Sequence, residues 1–427
     1  MTTFILPDSI SDLSSDMEKT DDDGVLQIYS YKTCTRSSSD QLKTSRGLVF
    51  SGDKNNENKN NNENKNKNPI FRSIGYTQEY SVDDVGIHNI VERDGSYLTF
   101  IPSTEGTLLR VFYHSSDMIP GGGKWYISTH RKLNAYDSRW GTSESFGQTF
   151  ENALSTLNLT VDGLLSALDR RHVYLFFVST TPGSRMVSLA PATPTVAHTA
   201  TLLNGSEFTM THPSPIPAPT PIAFSSVGDM VTFVNTVNIM SHQGIIAFYP
   251  DGHHFKVMNG QYQLYSNARG NEASLMFRYL QVRNHPIYGK MFNEMYPERI
   301  NEFISYENAI FRIAKSIHAS YISRFVEKKE TVVSQEEYRI IRHCHGWHIT
   351  NRLTNKVTMP VVLGTLSTPG MESTLNTMIK RLLRTGTLAI PGMTLPTKAK
   401  AVKDEMKAEM KAEMKADKED KDDKMTE

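Results

Sequence analysis

Only two cysteines, Cys34 and Cys344, occur in 427 residues, so no disulfide framework staples this chain and the usage fits a reducing compartment. Apolar runs long enough to cross a bilayer are missing, which argues against membrane-spanning helices. Net charge is missing too. Lysine plus arginine number 46 and aspartate plus glutamate number 46, so no global field draws the chain to nucleic acid, and any basic groove has to be assembled locally. The first residues lack a basic leader; acidic side chains from Asp8 to Asp23 speak against a secretory or mitochondrial targeting segment. The expectation is an intracellular protein of the cytoplasm or nucleus, with no membrane among its partners.

The length suffices for two domains with a sizeable core. Some stretches have little to bury. Residues 1–23 read as an acidic flexible N-terminus. Residues 54–68 are nearly all Asn, Lys and Glu and read as a disordered insertion within a hairpin, ahead of a strand-like run from Ile70 to Ile74. The prolines from Pro213 to Pro221 predict an extended, solvated loop. Residues 393–427 form a charged tail in which Met406, Met410 and Met414 recur at every fourth position, a spacing that suits a solvated, partly helical segment.

Between residues 24 and 285 short β-branched or aromatic runs alternate with turn residues: Val25 to Tyr31, Gly47 to Phe50, Tyr97 to Ile101, Thr107 to Tyr113, Lys124 to Thr129, Val173 to Ser179, Gly244 to Tyr249 and Phe255 to Met258. Helical patterns interrupt at Ser145 to Leu157 and Val161 to Leu168. Many strands with flanking helices predict an α+β domain built on antiparallel sheets. From residue 286 to 392 the apolar spacing becomes helical over Asn293 to Phe325, Glu336 to His348 and Met371 to Leu383, predicting a mostly helical second domain.

Five segments carry chemistry in a telling order: Ser45 to Phe50 with its Arg46-Gly47 pair, Ser103 to Phe112, Lys124 to Trp140, Val173 to Val187, and Gln243 to Val257. In that order they resemble the adenylyltransferase domain of phage-type RNA ligases. The resemblance implies a nucleotidyltransferase-like fold over residues 24–285 and a pocket for ATP with Mg. In that chemistry a lysine amine attacks the α-phosphorus, carboxylates hold a metal, and further lysines stabilise the phosphate in the transition state.

The reactive positions differ here. Ser103 stands where the resemblance calls for the nucleophilic lysine, Phe177 and Gln243 stand where it calls for carboxylates, and the last strand has only Lys256, with Met258 in place of a second lysine. Arg46, Glu105, Gly106 and Lys256 match the pattern. Longer strings, Glu105 to Tyr113, Trp125 to Leu133 and Arg269 to Arg283, are similar to the immediate-early protein family of iridoviruses and related large DNA viruses. That resemblance implies a viral early protein acting in host cytoplasm or nucleus.

Together these readings predict an RNA-ligase-like scaffold without covalent adenylyl transfer that retains nucleotide or RNA binding. The candidate binding residues are Arg46, Glu105, Gly106, Arg131, Lys132, Gln243 and Lys256, with Ser103 at the nucleophile position. Two alternatives stay open: an active ATP-dependent RNA ligase using Lys124 or Lys132, and a regulatory interaction protein with no nucleotide affinity.

Other clusters read more plainly. Glu92 to Ser96 is a turn between strands. Arg131, Lys132 and Arg139 beside Trp140 divide evenly between a single-strand contact and a surface turn. Alternation over Phe277 to Arg283 fits a strand or an amphipathic edge, with Arg269, Arg278 and Arg283 solvated or on phosphate. His343 to His348 offers one ligand cluster where zinc needs two, so a helix closed at Gly346 over a buried Trp347 is expected. Lys380, Arg381 and Arg384 form a solvated face.

Overall fold

The computed structural model describes residues 7, 10–52, 70, 72–386 and 394–395. The insertion at 54–68, most of the tail at 393–427 and its methionine stripe lie outside the described residues. The chain divides into two compact units, Met1–Ala273 and Ser274–Glu427. The boundary falls before residue 285 because Ser274 starts a helix: its hydroxyl accepts from Phe277 N at 3.3 Å. Phe277 to Arg283 is therefore helical rather than a strand, with Tyr279, Leu280 and Val282 on its buried side.

Three sheets build the N-terminal unit. β1 (Met17–Asp22), β2 (Leu26–Tyr31) and β3 (Leu48–Ser51) pair antiparallel in that order. The residues expected to be a flexible N-terminus thus contribute an ordered strand from Met17. β4 (Gln78–Ser81), β5 (Thr99–Ser103), β11 (Gly244–Phe248) and β12 (His254–Met258) form a second sheet, ordered β4-β12-β11-β5. Its β4 runs parallel to β12, an exception to the antiparallel expectation. β6 (Gly106–Ser115), β7 (Gly123–Ser128), β8 (Val173–Ser179), β9 (Val196–Leu203) and β10 (Glu207–Thr209) form the third, ordered β10-β9-β8-β6-β7. Ile70 to Ile74 contains no strand among its described residues.

Alternation decides what each face covers. In β2 every second residue is buried, while the central β8 is buried on both faces along most of its length. Leu26, Val49, Ile101, Phe112, Leu175 and Phe248 meet in one core drawn from all three sheets. On the far side of the five-stranded sheet lie α3 (Phe146–Ser155) and α4 (Val161–Ala167), which cover Val111, Phe176 and Val178. α3 starts where the sequence predicts because Ser145 and Gln148 close a reciprocal capping box. α2 (Val85–Asp94) and α5 (Val227–Thr236) cover the far side of the four-stranded sheet over Phe100, Ile245 and Val257. Glu92 to Ser96 is accordingly the end of α2 running into a 3-10 turn, not a turn between strands. α1 (Asp40–Thr44) and α6 (Gly260–Arg269) complete the unit. The proline segment is irregular as expected, yet anchored: Ile216 is buried, Pro217 O accepts from His198 N, and Ile222 bridges Phe100.

The C-terminal unit is mostly helical, as expected: α7 (Leu275–Val282), α8 (Tyr288–Met295), α9 (Ile300–Tyr321), α10 (Gln335–Thr350), α11 (Met359–Leu366) and α12 (Glu372–Thr385). α9 buries Phe303, Ile310, Ile313 and Ile317 along one stripe and ends in a π-helical turn, Ile322–Val326. α10 does not close at Gly346. It continues to Thr350, and Trp347 is 40% exposed rather than buried.

Candidate nucleotide-binding site

The residues between β5 and β6 carry the chain from the four-stranded sheet into the five-stranded one. On β5, Ile101 points into the core shared by the three sheets, and Ser103, two residues on, shares its face. Register then sets the neighbours. Ser103 pairs with Gly244, while Lys256 pairs with Ile246 and with Glu79, so Ser103 lies one row along from Lys256 and Glu79 on the same face of the sheet.

These side chains bond to one another. Ser103 Oγ donates to Gln243 Oε1 at 3.0 Å, and Lys256 Nζ donates to the same oxygen at 2.8 Å. Gln243 Nε2 donates to Tyr262 Oη at 3.0 Å, and Tyr262 donates in turn to Glu105 Oε1 at 2.7 Å. Glu105 also accepts the backbone N–H groups of Met186, Val187 and Ser188, each at 2.7 Å. Its carboxylate is thereby tied to a loop and a helix at once, and both oxygens are occupied.

Two glycines permit this closeness. Gly244 has φ +142°, and a Cβ there would meet Val257 O at 2.1 Å. A Cβ on Gly106 would meet Val178 O at 2.2 Å and the Phe177 ring at 2.4 Å. Phe177, standing where a carboxylate is expected, therefore lays its ring over Gly106.

Electrostatics follow from burial. Burial lowers the Lys256 ammonium pKa below the usual lysine value; Arg46 pushes the same way, while Glu79 (4.0 Å from Nζ) and Glu105 oppose it. Burial, reinforced by Glu105, raises the Tyr262 phenol, which keeps it a donor. His254, hydrogen-bonded to Thr77 Oγ1 at 2.7 Å, is held down to about 4 by burial, with Arg46 and Lys256 adding to the effect. His130 falls to about 3 through burial and the charges of Arg46, Arg110 and Arg131.

Arg46 is half-buried at the entry to β3, and its guanidinium makes no hydrogen bond or ion pair among the described residues. Arg110 is fully buried on β6. It donates to Gly47 O at 2.6 Å and Ser128 Oγ at 3.2 Å, but its Nη2 has no partner among the described residues. Burial depresses this guanidinium to about 9. Of these two cations only Arg46 acts on Lys256, whereas Arg110 is sealed among Gly47, Ser128 and Phe112.

Of the sequence-predicted residues, Ser103, Glu105, Gly106, Gln243 and Lys256 come together, with the charge of Arg46 acting on Lys256. Arg131 and Lys132 do not join them. Arg131 is held by Glu18 at 2.5 Å and Lys132 by Asp21 at 3.2 Å, both on β1. Lys124 is likewise held by Asp23 at 3.2 Å. Trp140 packs under buried Arg269, whose guanidinium lies 5.2 Å from the ring centroid, rather than beside Arg131. Arg283 is paired with Glu307 at 2.6 Å and Arg381 with Glu336 at 3.0 Å, so neither is a free cation. Sequence reasoning missed Tyr262, Glu79 and Arg110. Asn259, which caps α6 by accepting from Tyr262 N, was the available signal for the first.

A metal does not fit this cluster as it stands. Both oxygens of Glu105 are engaged, Gln243 is uncharged, and Glu79 is the one further carboxylate acting on Lys256 among the described residues. No group of three or more metal-binding side chains occurs among the described residues.

No family model matches the chain. It is similar to the immediate-early protein ICP-46 homolog of Invertebrate iridescent virus 3, 30% identical over 226 residues, covering 52% of this chain and 48% of the relative. The homolog from Invertebrate iridescent virus 6 is 26% identical over 300 residues, covering 64% of each. The chain therefore spans about half the length of the first relative and less than two thirds of the second.

The sequence motifs pointed to relatives of this kind. Among solved structures, an archaeal ATP-dependent RNA ligase aligns with 78% of this chain and 84% of its own at 10% identity and a TM-score of 0.35. A Naegleria gruberi RNA ligase mutant with ATP and Mn aligns with 44% and 57% at 10% identity and a TM-score of 0.30. Likeness of that size is too slight to bear on the site, which stands on its own residues.

Proposed function

We propose that the N-terminal unit is an RNA-ligase-like scaffold whose pocket binds a nucleotide without forming a covalent adenylate. The observation that carries this reading is the shared acceptor, Gln243 Oε1, which takes hydrogen bonds from both Ser103 and Lys256. A hydroxyl bonded to an amide is no substitute for a lysine amine poised between carboxylates. With both oxygens of Glu105 engaged by three amides and a phenol, its carboxylate is not free to hold a divalent ion either. Lys256 and Arg46, whose charges act on one another, are suited instead to bind phosphate oxygens by charge and hydrogen bonding.

Lys124 and Lys132 are poor alternative nucleophiles because Asp23 and Asp21 hold their amines. One specific observation favours a second reading: the Lys256 amine lies between Gln243 and Glu79 with its pKa lowered by burial, the condition a nucleophilic lysine needs. Incubating the protein with α-labelled ATP and divalent metal, then denaturing it, separates the two. The non-covalent reading expects no retained label together with an ATP-induced rise in melting temperature, roughly 2.7 kcal/mol of added stability at a hundredfold excess over Kd. Label that disappears in Lys256→Ala would establish the second reading. Absence of both label and thermal shift would leave a regulatory interaction protein with no nucleotide affinity.

A further inference from the structure

The C-terminal unit holds a hollow of about 790 Å³ between the π-helical turn Ile322–Val326, α10 and residues 352–358. Its lining contains Arg324, Arg342, Arg352 and Lys356 and no carboxylate. The side chains of Arg342, Arg352 and Lys356, all exposed, make no hydrogen bond or ion pair among the described residues. Like charges gathered around a concave surface raise its potential and repel one another, a cost offset when an anion enters.

The same hollow is aromatic. Tyr321, Phe325 and Tyr338 line it, with Phe325 stacked on His345 at a centroid distance of 3.9 Å. Arg324 lies 5.4 Å from the Phe325 centroid and 6.0 Å from that of Tyr338. Part of the geometry comes from the π-turn, which widens the helix so that Tyr321, Ile322, Arg324, Phe325 and Val326 all reach one cavity; such turns recur at functional sites. The His343 to His348 string thereby gains a different meaning, since His345, Gly346 and His348 line this hollow.

We propose that the hollow binds a nucleotide unit of a single-stranded nucleic acid, its phosphates against Arg342, Arg352 and Lys356 and its base against Phe325 and Tyr338. Anionic charge alone would also suit an acidic peptide. Aromatic rings interleaved with arginines favour a planar base, and the volume accommodates a nucleotide. This inference is independent of the N-terminal pocket.

The test is fluorescence anisotropy of the full chain with a labelled 12-nucleotide single strand, as RNA and as DNA, over a range of salt. Replacing Arg342, Arg352 and Lys356 together with alanine should weaken binding at least tenfold. It should also flatten the salt dependence by about 2, at roughly 0.7 for each phosphate no longer neutralised. Phe325→Leu should weaken binding about fivefold or more with the salt slope unchanged, as loss of stacking requires. Arg131→Ala with Lys132→Ala should change neither quantity. Binding of RNA, DNA or both, with this pattern, upholds the proposal. Three results would overturn it: affinity unchanged within twofold in the triple variant, loss of binding only for free mononucleotides, or competition by poly-glutamate as effective as by an unlabelled strand. The Arg352→Glu single variant, a change at one exposed position, gives the same readout should the triple variant fail to fold.

Discussion

Two cationic clusters in this protein have opposite fates. On the turn after β7, Arg131, Lys132 and the nearby Lys124 each find a carboxylate from β1 or the turn that follows it. In the C-terminal hollow, Arg342, Arg352 and Lys356 find none among the described residues. Both clusters look alike in sequence: basic residues near aromatics. What separates them is whether the fold supplies the counter-charge. The first cluster fastens an acidic strand to the sheet edge, and the second is left with charge for a ligand.

Breaking these arrangements should cost very different amounts. The largest effect is expected from Glu105→Ala, which strands three buried amides and the Tyr262 phenol; a loss of roughly 3–5 kcal/mol should appear as a lowered urea midpoint. An equal stability for this variant would mean the network is not what ties the Met186–Ser188 loop to α6.

Acid comes next. His198 and His254 are buried, with pKa values near 4 against an ordinary 6.5. Between those values the unfolded chain binds protons that the folded one does not. Stability is therefore undiminished above pH 6.5 and falls as pH drops toward 4, by up to about 1.4 kcal/mol per unit for each histidine. Urea titrations at pH 7 and pH 5 check the sign, and His254→Gln should flatten the slope.

A smaller effect is expected from neutralising the first cluster. Arg131→Ala and Lys132→Ala should each cost no more than about 1 kcal/mol, since both ion pairs are largely exposed, and the loss should shrink in high salt. Smallest of all is Arg342→Ala with Arg352→Ala, expected to stay within about 0.5 kcal/mol of the parent while strand affinity drops. If that pair destabilised the fold as much as the Arg131 and Lys132 changes, the contrast between the two clusters would vanish.

Much of the N-terminal unit was legible. Val173–Ser179 forms a strand with the bounds read from its sequence, and α3 begins at the expected cap, because β-branched runs and a capping box are local signals. β1 was not legible. Met17–Asp22 has one buried side chain, and its pairing depends on β2 and on Arg131 and Lys132, more than a hundred residues away. Phe277 to Arg283 misled because alternating aromatic and polar residues also satisfy one short helical face, and the Ser274 cap outweighed the alternation. Of the candidate site, Ser103, Glu105, Gly106, Gln243 and Lys256 were readable as a pattern, whereas Tyr262 became visible only once α6 packed beside Glu105.

Sequence by itself determined the identity of the reactive groups: a hydroxyl at position 103, an amide at 243, one amine at 256. It also determined the glycines at 106 and 244, without which two strands could not approach as they do. Only tertiary structure decided which charges remain available, because the free energy of a buried or crowded ion depends on what lies within a few ångströms and not on its neighbours along the chain. Arg131 and Arg342 are the same residue type, and the fold gives one a carboxylate at 2.5 Å and leaves the other facing a cavity.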